Sequence, residues 1–322
     1  MDSKLSTTRV GTVHPGSPTR RLTRAVTDHG ASASTAALPG SENLSGKTLG
    51  TFRLLKWLAQ GGAGTVYAAS NPRFKNLLAV KILHAEKMAN KKDVAGMTNE
   101  YEIGRSLSHP GILKYIDFGT YEGRPFMVME MFPGRAFNAL RRTPDGAKAV
   151  RRREREIFTQ MAEIVNYLHQ QKVIHRDLKP DNFMVDLEHN QLKLIDFSVS
   201  ERMTGLFRQL FTFGRTIIGT PSYMSPEHIE KKAPAPAMDI YSFGVMLFEH
   251  FAGRPPFVAA TQNALLTQVL DVPAPKLSKF NPDVSPELEQ LVARMLSKKP
   301  DERPVSMAHF INTFNRIKLY ND

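Results

Sequence analysis

Near Phe132 the hydrophobic period of this chain changes, and few folds accommodate such a change. Before it lie short β-favouring runs: Phe52 with Leu54, Trp57-Leu58, Thr65-Val66-Tyr67-Ala68, Leu77 to Leu83, and two runs in 112–131 ending in Phe126-Met127-Val128-Met129. Aromatic and β-branched residues suit a pleated, half-buried surface, and the turn residues between the runs predict strands joined by hairpins. Within this third only residues 93–107 read as a helix. Beyond Phe132, residues Ile157, Met161, Ile164, Val165 and Leu168 recur on one helical face. A second apolar helix is predicted from Asp239 to Phe251, and proline clusters at 233–236, 255–256 and 273–275 break the remainder into loops and short helices. Strands first and helices afterwards predict an α+β chain of two segregated lobes, residues 52–131 and 132–317.

Composition narrows the function classes. The 322 residues include no cysteine. Disulfide scaffolds, thiolate zinc sites, cysteine nucleophiles and prenyl or palmitoyl anchors are thereby excluded. No apolar run reaches the roughly 20 residues that span a bilayer, so the expectation is a soluble, cytoplasmic chain with no transmembrane segment. Residues 1–48 are rich in Ser, Thr, Gly, Ala and Pro and lack Phe, Trp and Tyr. Such a stretch buries too little apolar surface to offset its ordering entropy, and a disordered basic tail is expected there. Met1-Asp2 excludes N-myristoylation and no secretory apolar region is present, while organelle targeting by an Arg- and Ser-rich tail stays open.

The net charge of +12 admits polyanionic partners. Residues 141–155 hold seven bases (Arg141, Arg142, Lys148, Arg151, Arg152, Arg153, Arg155) against Asp145 and Glu154. They form either a solvated loop and helix start or a docking surface for an acidic partner or an anionic membrane. Neither this cluster nor the tail interleaves aromatic residues for base stacking, which argues against a nucleic-acid partner.

Three stretches carry chemistry. Gly61-Gly62-Ala63-Gly64 lies between two strand-like runs. It is either a plain hairpin turn or a loop whose bare backbone approaches a phosphate, and no Walker lysine follows it. Lys81, inside an apolar run, is either on a solvent face or paired, and Glu100 on the following helix is a candidate partner. His175-Arg176-Asp177-Leu178-Lys179-Pro180-Asp181-Asn182 is a polar loop between apolar runs, so an ordinary surface loop fits it poorly. Asp177 can accept a hydroxyl proton, Lys179 can neutralise a transferring phosphate, and Asn182 offers a hard oxygen to magnesium. Asp196 ends a later apolar strand, where an acid is structural or a metal ligand, and the short hairpin back to Asn182 favours the ligand.

The order of these pieces resembles the eukaryotic-type (Hanks-type) serine/threonine protein kinases over about residues 52–317. The segment Gly219-Thr220-Pro221-Ser222-Tyr223-Met224-Ser225-Pro226-Glu227 resembles the close of that family's activation loop. Asp239 to Gly244 resembles the start of its central helix, and Asp301-Glu302-Arg303-Pro304 a closing element that pairs with Glu227. Compact loops look more like bacterial members than animal ones. The resemblance implies a two-lobed fold, a small antiparallel sheet with one main helix above a mostly helical lobe. It also implies ATP and Mg²⁺ as cofactors, a protein substrate with a Ser or Thr acceptor, and autophosphorylation.

By the same resemblance, Gly61, Gly62, Gly64 and Val66 cover the nucleotide, and Ala79, Met129 and Met184 belong to its pocket. Glu130 and Phe132 offer backbone groups to the base. Lys81, oriented by Glu100, holds the α and β phosphates. Asp177 is the catalytic base, Lys179 the γ-phosphate partner, and Asn182 and Asp196 the magnesium ligands. Lys179-Pro180 and Gly219-Thr220-Pro221 follow the serine/threonine pattern. Arg176 before Asp177 implies control by activation-loop phosphorylation, with Thr212 and Thr216 preferred over Thr204 as sites.

Three positions depart from the family. Ala59 replaces the first loop glycine, Ser198 replaces the glycine of Asp-Phe-Gly, and Ser225 stands in place of an alanine. None removes a charged group, so turnover is expected and only the mobility of the Asp196 segment is expected to suffer. The alternative is an ATP-binding scaffold with little turnover.

Overall fold

A computed structural model describes residues 43–203 and 219–321. The alternating runs of the first third form strands β1 (Thr48–Leu49), β2 (Phe52–Gln60), β3 (Gly64–Ser70) and β4 (Leu78–Leu83). Helix α1 (Lys91–Ser106) follows, and then strands β5 (Tyr115–Tyr121) and β6 (Arg124–Glu130). The strands pair antiparallel in the order β1-β2-β3-β4-β6-β5. Register decides what each face carries, because side chains alternate along a strand. Trp57, Tyr67, Val80 and Val128 align in one row, and Ala68, Ala79 and Met129 in a row on the opposite face. The first face is covered by Leu44, Leu49, Phe52 and Leu54, all buried. The second face receives α1, whose Asn90 N-cap accepts from the Lys92 amide at 3.0 Å.

The tail boundary expected at residue 48 therefore needs correction. Leu44 is 1% exposed, its amide donates to the Tyr67 hydroxyl at 3.2 Å, and β1 pairs with β2. Two leucines five positions apart make no periodic run, so nothing local marked this segment as folded.

The second lobe starts with β7 (Arg135–Ala136), α2 (Phe137–Arg141) and α3 (Pro144–Gln170). Thr143 caps α3 and Pro144 opens it, so the basic cluster from Lys148 to Arg155 is helical rather than a loop. Strands β8 (Val173–Ile174), β9 (Phe183–Asp186), β10 (Gln191–Leu194) and β11 (Glu201–Arg202) form two small sheets, β10-β9-β7 and β11-β8. Helices α4 (Pro226–Ile229), α5 (Pro236–Ala252), α6 (Gln262–Asp271), α7 (Pro286–Met295) and α8 (Met307–Phe314) complete the described chain. From Met238 to Phe248 every residue of α5 is buried. The helix ends at Gly253, whose φ of 74° is the left-handed cap that glycine adopts without strain. Leu44–Asp322 forms one compact unit, and one apolar cluster runs from Ala79, Met97 and Met129 to Phe158, Phe243 and Phe310.

Candidate functional site

The glycine run closes the β2–β3 hairpin, with the Gly61 amide donating to the Gly64 carbonyl at 2.9 Å. Gly64 is demanded by the fold, since an added Cβ would lie 2.4 Å from the Ile82 carbonyl oxygen. Gly61 and Gly62 are exposed and meet no such neighbour: a Cβ at Gly61 would come only within 3.8 Å of Gly64, and one at Gly62 would touch nothing within 4 Å. Their missing side chains leave clear the space outside the hairpin.

Lys81 sits between Val66 and Met127 on the α1 face of the sheet, not on a solvent face. Its Nζ donates to Glu100 Oε2 at 2.6 Å, and Glu100 is 3% exposed. Burial alone would lower the Lys81 pKa, but the Glu100 and Asp196 carboxylates outweigh it and hold the value above the ordinary one. Asp196 shows the mirror case. Burial pushes its pKa up, yet the Lys81 charge and hydrogen bonds from Ser198 leave it below the usual carboxylate range. Its backbone has φ 67°, the left-handed region, while Ser198 has a negative φ. The serine therefore needs no glycine-like backbone in this arrangement, and its amide donates to Asp196 Oδ1 at 3.2 Å.

Asn182 and Asp196 are brought together by the β9–β10 hairpin, where Leu194 faces Phe183 and the Ile195 amide donates to the Asn182 carbonyl at 2.9 Å. The Asn182 amide nitrogen donates to the Asp177 carbonyl at 2.9 Å, so its side-chain oxygen is the group left for a ligand. Lys179 Nζ donates to Asp177 Oδ2 at 2.5 Å and to Thr220 Oγ1 at 2.9 Å, and the Thr220 amide donates to Asp177 Oδ1 at 2.9 Å. Ala79 and Met129 face each other across β4 and β6, and Met184 is half-buried on β9. The Glu130 side chain serves the sheet edge, accepting from the Lys114 amide at 2.8 Å and pairing with Lys193 at 2.6 Å. Phe132 is half-buried, with the Lys193 ammonium 5.8 Å from its ring centre. Ala59 is exposed opposite Val66, beside a register shift in β2.

Two residues hold this site without having been assigned that work from sequence. Asn99 Nδ2 lies within reach of the carbonyls of Phe197, Ser198 and Ser200, at 3.0, 3.2 and 3.0 Å, and so ties α1 to the Asp196 segment. Its only sequence signal is adjacency to Glu100. Asp239, fully buried at the start of α5, accepts from the amides of His175 and Arg176 at 2.9 Å each, with His169 Nε2 2.9 Å away. Glu227 and Arg303 form a buried two-pronged pair at 2.6 and 2.9 Å, as the sequence motif implied. Thr204, Thr212 and Thr216 lie outside the described residues.

The basic cluster is mostly internal wiring. Arg141 pairs with Glu249 at 3.0 Å, and Arg151 pairs with Glu154 and stacks 3.5 Å from the Tyr320 ring centre. Arg153 joins Glu156, Asn190 and the Leu187 carbonyl, and Arg155 donates to the carbonyls of Phe314 and Ile317. Arg142, Lys148 and Arg152 are exposed and have no partner among the described residues.

A small antiparallel sheet with one helix, a mostly helical lobe, Lys81 paired with Glu100 near Asp196, and Asn182 bonded to Asp177 define the protein kinase architecture. The family described as the protein kinase domain matches residues 52–314, and the chain belongs to it. The chain is 32% identical over 272 residues to serine/threonine-protein kinase Pkn1 of Myxococcus xanthus, covering 84% of this chain and 38% of that protein. It is 32% identical over 257 residues to serine/threonine-protein kinase PknB of Mycolicibacterium smegmatis, covering 78% and 40%. Against serine/threonine-protein kinase pkn3 of Myxococcus xanthus the figures are 30% over 282 residues, 84% and 51%. These relatives are bacterial, and the chain spans between 38% and 51% of their lengths. Among the described residues no helix is long and apolar enough to cross a membrane.

Proposed function

We propose that the chain transfers the γ-phosphate of ATP to serine or threonine hydroxyls of proteins, with magnesium as its metal. The observation that carries this reading is the closed Lys81–Glu100 pair at 2.6 Å, with the Asp196 carboxyl close enough to feel the Lys81 charge. Phosphoryl transfer asks a protein mainly for in-line positioning and charge neutralisation. Lys81 supplies a fixed positive charge for the α and β phosphates beneath the Gly61-Gly62-Ala63-Gly64 hairpin. Val66, Ala79, Met129 and Met184 line the base pocket, and Glu130 and Phe132 contribute backbone groups. A carboxylate and an amide oxygen suit a hard cation, so Asn182 and Asp196 would hold magnesium, which supplies neutralisation of phosphate oxygens when bound.

Asp177 orients the acceptor hydroxyl and takes its proton as the oxygen attacks the γ-phosphorus and ADP departs. Lys179 steadies the charge on the transferring group, and its contact with Thr220 favours a serine/threonine preference. Arg142, Lys148 and Arg152 are the bases left for docking an acidic partner, and use of ATP favours a cytoplasmic setting.

The test is γ-phosphate transfer with Mg²⁺ to the chain itself and to a generic basic protein, followed by phosphoamino-acid analysis. Incorporation on Ser or Thr that Lys81→Met and Asp177→Asn both abolish is the expected result. No incorporation, with ATP still raising the melting temperature, would select the scaffold reading favoured by Ala59 and Ser198.

A further inference from the structure

Arg176 is fixed twice. Its backbone adopts φ 69°, a left-handed conformation that an arginine keeps only when its surroundings impose it. Asp239 imposes it by accepting the amides of both His175 and Arg176. The side chain is held separately, with Nη1 donating to Glu201 Oε2 at 2.8 Å. Glu201 is itself placed by backbone pairing. It faces Ile174 across β11 and β8, the Met203 amide donates to the Lys172 carbonyl at 2.8 Å, and Ser200 Oγ donates to the His175 carbonyl at 3.1 Å. The strand that follows Asp196-Phe197-Ser198 thus delivers a carboxylate to the arginine that precedes Asp177.

By the family resemblance, an arginine before the catalytic aspartate implies control by a phosphate on the activation loop. Here a carboxylate already occupies the guanidinium. We propose that Glu201 is a positioning residue that orders the catalytic loop through Arg176, so that turnover does not require phosphorylation of Thr204, Thr212 or Thr216. These three are the only hydroxyl-bearing residues between Met203 and Gly219. Charge-assisted pairing of this kind fixes geometry as well as charge. Arg176 Nε is buried with no partner among the described residues, so the guanidinium could take one further contact. The inference is that turnover does without it. It rests on the kinase reading, whose failure would look different.

The experiment uses the full chain, treated with phosphatase and checked by intact mass. Wild type, T204A/T212A/T216A, Glu201→Gln and Glu201→Asp are compared for phosphate transfer to a generic basic protein. The triple variant is expected within about twofold of wild type. Glu201→Gln should lower kcat about tenfold with the KM for ATP and the melting temperature unchanged, and Glu201→Asp should recover most of the loss. A purely structural glutamate would instead lower the melting temperature. Loss of about tenfold in the triple variant, or full activity in Glu201→Gln, overturns the inference. A wild type that transfers no phosphate would overturn the kinase reading instead.

Discussion

Burial drives the His228 imidazole down to about 4, and the Arg176 charge pushes the same way, so the ring is neutral at pH 7. Its Nε2 is buried without a partner among the described residues, an environment in which a charged ring is costly. In the unfolded chain a histidine titrates near ~6.5. Between those two values the unfolded state binds the extra proton, so stability falls as pH drops from about 6.5 towards 4. His250, also buried and lowered, acts in the same direction. Urea midpoints measured between neutral and mildly acid pH should fall, and His228→Gln should remove up to roughly 3 kcal/mol of that dependence. An identical profile in the variant would mean that the ring titrates as if in water.

At the scale of elements, α1 and β5 meet at a gap and a filler. The helix presents Gly104, where an added Cβ would lie 2.2 Å from Tyr115 Cε2. The Tyr115 ring fills that place and meets Phe197 edge-on at 6.3 Å, and its hydroxyl lies 3.4 Å from Glu100 Oε1. Two effects oppose each other in Gly104→Ala. Helix propensity would gain about 1 kcal/mol, whereas overpacking a closed core costs about 1–3 kcal/mol. Because the ring is 5% exposed and wedged between elements, the steric cost should win. Tyr115→Leu alone should also destabilise by leaving a void. Together the two should cost less than their sum, and a urea double-mutant cycle measures that coupling. Strict additivity would show that the ring has room to move aside.

For the molecule as a whole, the decisive fact is that one apolar cluster crosses from the sheet and α1 into the helical lobe. The outer face of the sheet has its own cluster under Leu44 and Leu49. Shared burial makes separate melting of the lobes unfavourable, so Leu44–Asp322 should unfold as one unit. The single tryptophan, Trp57, reports on the sheet at β2, while far-UV circular dichroism is dominated by the helices. Urea transitions followed by the two signals should coincide. An earlier tryptophan transition would show that the sheet lobe loosens first.

Strand and helix identities and the lobe order were legible because hydrophobic period is a local property. The extent of α3 was less so, since its basic first half masks the apolar stripe. The candidate loop Asp177-Leu178-Lys179-Pro180-Asp181-Asn182 stood out because so many charged and polar residues between apolar runs do not fit a buried strand. Period says which face of a segment is apolar, and it does not say what packs there. Only sheet register turned Lys81 towards α1 and Glu100, and only tertiary cover drew Leu44 into the fold. Topology alone decided that Arg141, Arg151, Arg153 and Arg155 reach Glu249, the Tyr320 ring, the Leu187 carbonyl and the Ile317 carbonyl, that Asn99 ties down the Asp196 segment, and that Glu201 lands on Arg176. Those partners are far apart in the chain, and their meeting depends on how whole elements pack, which no short window of sequence contains.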